Sequence, residues 1–233
     1  MPDSVVFVAD AGEEAGLGHI SRSSAIAVAL RCRGIDTRCH AYGVEKPLER
    51  DGVTWLASAD LPAFERVLVV DSYRFPHERL AEAAGSTRLV VMHDFGGVPE
   101  GAALVVSAAA PPSADDAEQL TGLAFAALRP GFWGLPARKV RGTVERVLVT
   151  TGSGQFGDLG RDVAQALAAA LPHATVALVR GPHATVTADA GVNTIDAPDS
   201  LLEPLLASDL VVTGGGQTML EAAAAGTPSI ALP

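Results

Sequence analysis

Short β-branched runs alternate with Ala- and Leu-rich stretches of helical length along almost the whole chain, and this rhythm restricts the fold more than any other feature. It is the pattern of βαβ units and parallel sheets, so the fold class is α/β. In the first half, strands are expected at Val5 to Ala9, Thr37 to Tyr42, Val53 to Leu56, Val67 to Asp71, Leu89 to His93 and Leu104 to Ser107. The clearest helix runs from about Ile20 to Arg33 and stops at Gly34, where a glycine just past a helix end belongs.

From Ala108 to Gly142 the rhythm lapses into Pro111-Pro112, an acidic stretch, Pro130-Gly131, Gly134, Pro136 and the basic residues Arg138, Lys139 and Arg141, which reads as a linker region. A second βα series follows. Strands are expected at Val144 to Thr150, Thr175 to Val179, Asn193 to Ile195, Leu210 to Thr213 and Ser229 to Leu232, with helices at Leu159 to Leu171, Ser200 to Ala207 and Thr218 to Ala225. The expected organisation is two tandem, doubly wound, Rossmann-like domains, residues 1–140 and 141–233. The second series stops at Pro233 directly after an apolar strand, so this domain is expected to lack its closing section.

Composition narrows the function classes. Of 233 residues, 48% are hydrophobic and 19% charged, as in globular chains and unlike disordered ones. With 27 acidic against 17 basic residues the net charge is −10, which argues against nucleic acid or an anionic membrane surface as partner. A small anion is still admissible, because backbone N–H groups at helix N-termini bind phosphate whatever the net charge. The two cysteines, Cys32 and Cys39, have neither disulfide-framework nor zinc-knuckle spacing. No basic leader or uninterrupted apolar span is evident, and the expected location is the cytoplasm. Gly (24) and Pro (15) together exceed the roughly 12% average share, which points to many tight loops.

Three glycine-bearing loops can carry chemistry. In Gly16-Leu17-Gly18-His19-Ile20-Ser21-Arg22, between a strand and a helix, His19 sits at a helix N-terminus. The helix dipole there disfavours the protonated ring and leaves a neutral imidazole able to accept a proton; the alternative is a histidine that merely caps the helix. Arg22 lies one turn on, facing the same crevice or solvent. Thr151-Gly152-Ser153-Gly154-Gln155 has small residues that let a phosphate approach the backbone, with Ser153 as donor, or it is a plain βα turn; it lacks the P-loop lysine. In Thr213-Gly214-Gly215-Gly216-Gln217-Thr218-Met219-Leu220-Glu221, bare N–H groups at a helix start suit a diphosphate. Thr218 and Glu221 also match a capping box, while the functional alternative is a Glu221 carboxylate accepting from a ribose diol. Asp71-Ser72-Tyr73 and His93-Asp94 follow strand runs and could reach the crevice of His19. His40, His77, His173 and His183 lack metal-ligand spacing, and no metal site is expected.

Taken together, Gly16 to Arg22, Val70-Asp71-Ser72-Tyr73, Gly152-Ser153, Asp209 to Val212, Gly214 to Thr218 and Glu221 resemble the nucleotide-sugar enzymes of glycosyltransferase B architecture. The group in question is that of the spore-coat polysaccharide glycosyltransferases and the UDP-sugar hydrolase of pseudaminic acid synthesis. The C-terminal half is also similar to the UDP-binding domain of the lipid II-forming N-acetylglucosaminyltransferase. The resemblance implies that Ser153 and Gly214, Gly215, Gly216, Gln217 and Thr218 hold the diphosphate, Glu221 the ribose, and the region of Leu201 the base. It further implies His19 as general base supported by Asp71, with Gly18, Arg22 and Tyr73 lining the substrate site. The loops around Gly18, Gly152 and Gly215 are then expected to converge on one cleft. UDP would leave without a metal or other cofactor.

Departures exist. Relatives carry Asp-Asp where this chain has His93-Asp94, an Asn near Ser107 and a glycine at Thr151, and they continue beyond Pro233, so the sequence is either a fragment or a shortened homologue. The expected function is UDP-sugar-dependent inverting glycosyl transfer in polysaccharide or glycoconjugate biosynthesis, with a sugar or glycoconjugate acceptor. A UDP-sugar hydrolase using water and a catalytically silent binding module are the alternatives.

Overall fold

The computed structural model describes residues 4–63, 66–94, 98–109, 117–152, 157–181 and 191–232. The chain divides into two units, Met1–Pro130 and Gly131–Pro233. Residues 131–140, expected with the first domain, group with the second. Arg138 gives the local reason: its guanidinium donates to the carbonyls of Leu205 (3.2 Å) and Ser208 (2.7 Å) and to Thr227 Oγ1 (3.0 Å).

The first unit runs β1 (Val5–Asp10), α1 (Gly18–Arg31), β2 (Thr37–Tyr42), β3 (Leu48–Arg50), β4 (Val53–Ser58), β5 (Val67–Asp71), α2 (His77–Ala84), β6 (Arg88–Met92), β7 (Leu104–Ser107) and β8 (Glu118–Thr121). The strands form one sheet in the order β3-β4-β2-β1-β5-β6-β7-β8. All neighbours are parallel except β3 and β4. Strand β1 is buried along its whole length because both sheet faces are covered. Phe7 and Ala9 pack on one face with Ile20 and Ala27 of α1. Val6 and Val8 pack on the other with Leu80 and Ala83 of α2. Alternation along a strand thus places the two helices on opposite faces, the doubly wound arrangement.

Two elements depart from expectation. The β3–β4 hairpin turns at Asp51 (φ 52°) and Gly52 (φ 73°), both left-handed, as a two-residue Asp-Gly turn requires. Arg129 then grips the Asp51 carboxylate through Nε (2.8 Å) and NH2 (2.6 Å). Strand β8 lies inside the stretch expected to be a linker and extends the sheet parallel to β7. Its sequence, Glu-Gln-Leu-Thr, carries no strong strand propensity; pairing with β7 places it there.

The second unit runs β9 (Arg146–Thr150), α3 (Gly157–Ala170), β10 (Thr175–Arg180), β11 (Val192–Asp196), α4 (Leu202–Ala207), β12 (Leu210–Gly214), α5 (Gln217–Ala224) and β13 (Ser229–Leu232). Its strands are all parallel, in the order β11-β10-β9-β12-β13. Val147, Val149, Val176, Leu178 and Val212 form its core with Ala164 of α3. At the amino ends of the strands, buried Asp209 accepts the N–H groups of Glu145 (3.0 Å) and Arg146 (2.9 Å), which ties the start of β12 to the start of β9. Arg141 stands 3.1 Å from its other oxygen.

Each unit has one point where the strand order reverses. In the first, the chain moves outward from β1 to β2 and β4 and returns to β5 on the other side of β1; in the second, it does the same from β9 to β12. Ligand crevices of open α/β sheets lie beyond the carboxyl ends of the strands at such points.

Candidate functional site

At the first reversal, β1 ends in Asp10 and β5 in Asp71, both buried, and α1 begins at Gly18. His19 is therefore in the first turn of α1, facing Asp71. Its Nδ1 lies 2.6 Å from Asp71 Oδ1. Arg22, one turn later, donates to the same carboxylate through Nε to Oδ2 (2.7 Å) and NH2 to Oδ1 (2.6 Å), and Ser23 Oγ donates to Oδ2 (2.9 Å). Four donors on one carboxylate leave it little capacity to act as a nucleophile or base itself.

Burial opposes ionisation of Asp71, but Arg22 and then His19 outweigh it and hold its carboxyl well below the usual carboxylate range. An ionised Asp71 fixes the His19 tautomer: Nδ1 carries the hydrogen and donates it, and Nε2 keeps its lone pair. The NH2 group of Arg22, 3.4 Å from Nδ1, is then a contact and not a hydrogen bond.

Arg22 reaches further. It donates through NH1 to Asp94 Oδ2, and Asp94 also accepts from Tyr73 Oη (3.1 Å) and Ser107 Oγ (3.3 Å). Burial would lower the Arg22 pKa, yet Asp71 and Asp94 raise it well above the ordinary value, so the guanidinium is a fixed cation shared by two carboxylates. Of the two positions the sequence allows for Arg22, solvent or crevice, the structure has it largely buried in this network.

Tyr73 is held by Asp10, whose Oδ2 accepts the Tyr73 N–H (2.9 Å) while Oδ1 accepts from Ser72 Oγ (2.6 Å). Ser72 Oγ in turn accepts the N–H groups of Arg74 (3.1 Å) and Phe75 (2.9 Å), closing the turn after β5. The Tyr73 ring stands edge-on to His19, with centroids 5.1 Å apart, and meets the His93 ring on another side at the same 5.1 Å.

His93 is 4% exposed, and neither ring nitrogen has a hydrogen-bond partner in the structure. Leaving such a group unpaired costs roughly 1–3 kcal/mol. Burial, then the charge of His77, pushes the His93 pKa down; Arg22 acts the same way, against the opposing pull of Asp94 and Asp71.

In the second unit, β12 ends in Gly214 and α5 starts at Gln217, with extended Gly216 as its N-cap and no side-chain cap. Thr218 is thus inside the first turn, one position too late for a capping box with Glu221. Glu221 is buried, 4% exposed. A Cβ on Gly215 or Gly216 would meet nothing within 4 Å, and one on Gly214 only the Thr151 carbonyl at 4.0 Å. None of the three has a positive φ, so neither packing nor backbone conformation requires glycine here. Gly18 is likewise unconstrained. Gly152, by contrast, has φ 90° at the end of β9 and needs the left-handed region. Leu201 is the partly buried residue before α4, its carbonyl accepting from the Leu205 N–H (2.9 Å). Ser153 lies outside the described residues.

The structure therefore brings His19, Arg22, Asp71 and Tyr73 together, and groups Gly214 to Thr218 at one helix start. Sequence reasoning did not single out Asp10, Ser23, Ser72 or Ser107, although Asp10 closes the first strand directly before the glycine loop, the same signal that marked Asp71. Among the described residues no group of three or more His, Cys, Asp or Glu could hold a metal ion, and no helix is long and apolar enough to cross a membrane.

No protein-family model and no curated protein matches the sequence. Solved structures do match in fold. The glycosyltransferase SnogD from Streptomyces nogalater superposes with a TM-score of 0.50 at 16% identity, covering 100% of this chain and 82% of its own. The glycotransferase of kitacinnamycin gives 0.57, also at 16% identity, covering 100% and 80%. Two parallel α/β sheet domains in tandem and these neighbours make the fold that of the glycosyltransferase B architecture.

Proposed function

We propose that the chain is a nucleotide-sugar-dependent glycosyltransferase, taking UDP-sugars and inverting the anomeric centre. The observation that carries this reading is the His19–Asp71 pair, 2.6 Å apart at the carboxyl edge of the first sheet, with the Nε2 lone pair free of any described partner. Such a base removes the proton of an incoming hydroxyl as its oxygen bonds to the anomeric carbon; the bond from that carbon to the diphosphate oxygen breaks and UDP leaves. A positioned base contributes about 10²- to 10⁴-fold. Asp71 acts as a positioning residue, and inversion fits a carboxylate already saturated by four donors and so unsuited to forming a glycosyl intermediate.

The N–H groups of Gly215 to Thr218 at the start of α5 would hold the diphosphate and take up its developing charge without a metal, with Ser153 as a further donor, Glu221 on the ribose and Leu201 near the base. The sterically unneeded glycines support this, since bare backbone is what close approach of a diphosphate demands. The acceptor is a sugar or glycoconjugate, as befits polysaccharide or glycoconjugate synthesis.

The test is UDP release from a panel of UDP-sugars with and without sugar acceptors. Release that needs an acceptor supports the reading, release in water alone makes the protein a hydrolase, and UDP binding without release makes it a silent binding module. His19→Ala is expected to lower turnover by about 10²- to 10⁴-fold with UDP affinity kept. Unchanged turnover would remove His19 as base.

A further inference from the structure

Most polar groups at the carboxyl edge of the first sheet are satisfied within the chain. Asp71 has four donors, Asp94 has Arg22, Tyr73 and Ser107, and Asp10 has Ser72 and the Tyr73 amide. His93 is the exception. Its imidazole is buried with both nitrogens unpartnered, and it is one ring away from His19, with Tyr73 between the two. Packing does not account for it: an apolar ring would keep the Tyr73 contact and the burial without leaving two polar atoms unmade.

The chemistry of the surroundings selects the partner. A neutral imidazole offers one donor and one acceptor, the complement of hydroxyl groups, each of which can give and take a hydrogen bond. An anion is disfavoured, because the nearest cation, Arg22, is already committed to Asp71 and Asp94. A cation is disfavoured by the same guanidinium. The resemblance to enzymes with Asp-Asp at this place makes the difference specific: one carboxylate is replaced by an uncharged ring.

We propose that His93 forms a subsite for an uncharged polyhydroxy ring of hexose size beside His19. The naming of a hexose rests on the glycosyl-transfer reading, whereas the subsite rests on the unpartnered ring. The hexose is either that of an acceptor or that of a donor, and the chemistry at His93 is the same for both.

The test is long-range ¹H–¹⁵N spectroscopy of the full chain labelled at histidine, with the His93 signals assigned by their loss in His93→Phe. The probes are methyl glucoside, methyl galactoside, methyl N-acetylglucosaminide, the corresponding UDP-sugars, UDP alone and inorganic phosphate. Saturable shifts of the His93 nitrogens with a methyl glycoside support an acceptor ring, and shifts with UDP-sugars only support the donor's ring. UDP alone and phosphate are expected to leave the signals in place. His93→Phe should weaken binding of the responding sugar about tenfold while the ligand-free protein melts at the same or a higher temperature. His93→Gln, which keeps a donor and an acceptor, should retain most of the affinity, and it serves as the variant if Phe does not fold. The proposal is overturned if no sugar moves the His93 signals, if phosphate moves them as much, or if His93→Phe binds as tightly as the parent. A saturable His93 response without UDP release from any UDP-sugar would refute glycosyl transfer and leave the subsite standing; turnover with silent His93 signals would refute the subsite alone.

Discussion

At the scale of single residues, Asp71 decides most about the first crevice. It orients His19, neutralises Arg22 and binds Ser23, so its replacement has separable consequences. Asp71→Asn keeps the shape but can present an N–H to Nδ1, which favours the wrong imidazole tautomer; turnover is expected to fall by as much as about 10⁴-fold, with UDP affinity intact. Stability should fall by roughly 3 kcal/mol at neutral pH, the cost of breaking a buried ion pair. The carboxyl pKa is lowered in the folded chain, so its stabilisation is complete above the ordinary carboxylate pKa of about 4 and is lost as pH falls through the lowered folded value. Melting temperatures of the parent and of Asp71→Asn should therefore converge as the pH drops below about 4. A constant gap down to strong acid would contradict the ion-pair account. The sequence placed Asp71 correctly at a strand end, but it did not reveal that Arg22 is bound to two carboxylates, because its partners are 49 and 72 positions away.

At the scale of elements, the start of α5 makes the sharpest prediction. Gly215 has open space where a Cβ would stand and no left-handed φ, so Gly215→Ala should leave the melting temperature unchanged or slightly raised, by up to about 1 kcal/mol of unfolded-state entropy. If bare backbone is there for a diphosphate, the same change should weaken UDP binding roughly tenfold, measured by calorimetry. Equal affinity would mean that the glycine run is not used for binding. Elements also show where sequence reading stopped short. The long parallel strands were found because their β-branched runs are buried on both faces. The β3–β4 hairpin was missed although Asp51-Gly52 is a strong turn signal, because its strands are short and β3 is only three residues long. Strand β8 has no local signal at all; its pairing with β7 is a tertiary choice.

At the scale of the whole molecule, charge and architecture lead to one further expectation. The chain carries a net charge of −10, and the proposed diphosphate site is built from backbone N–H groups with no lysine or arginine in Gly214 to Glu221. Affinity for UDP should therefore be retained when salt rises from about 50 to about 500 mM, since screening weakens the repulsion from the acidic surface more than any attraction. A steep loss of affinity with salt would indicate a cationic site instead. The two units repeat one design: a parallel sheet, a reversal of strand order, and a glycine-bearing loop at the carboxyl edge that leads into a helix. That repetition follows from the βα rhythm read along the chain, as does the placement of His19 and Gly215 at helix starts.

What the sequence by itself determined was periodic and local: the α/β class, most parallel strands and their helices, the helix-start position of His19, and the exclusion of polyanion partners. These depend on residue spacing and composition, which the chain carries in linear order. The tertiary structure decided what distant segments do together. It set Asp71 and Asp94 on one guanidinium, lodged Asp10 under the Tyr73 turn, made Gly216 the cap of α5 instead of Thr218, and buried the His93 ring without a partner. Each of these is an interaction between groups that only folding brings within hydrogen-bond range, or a group that folding leaves outside it.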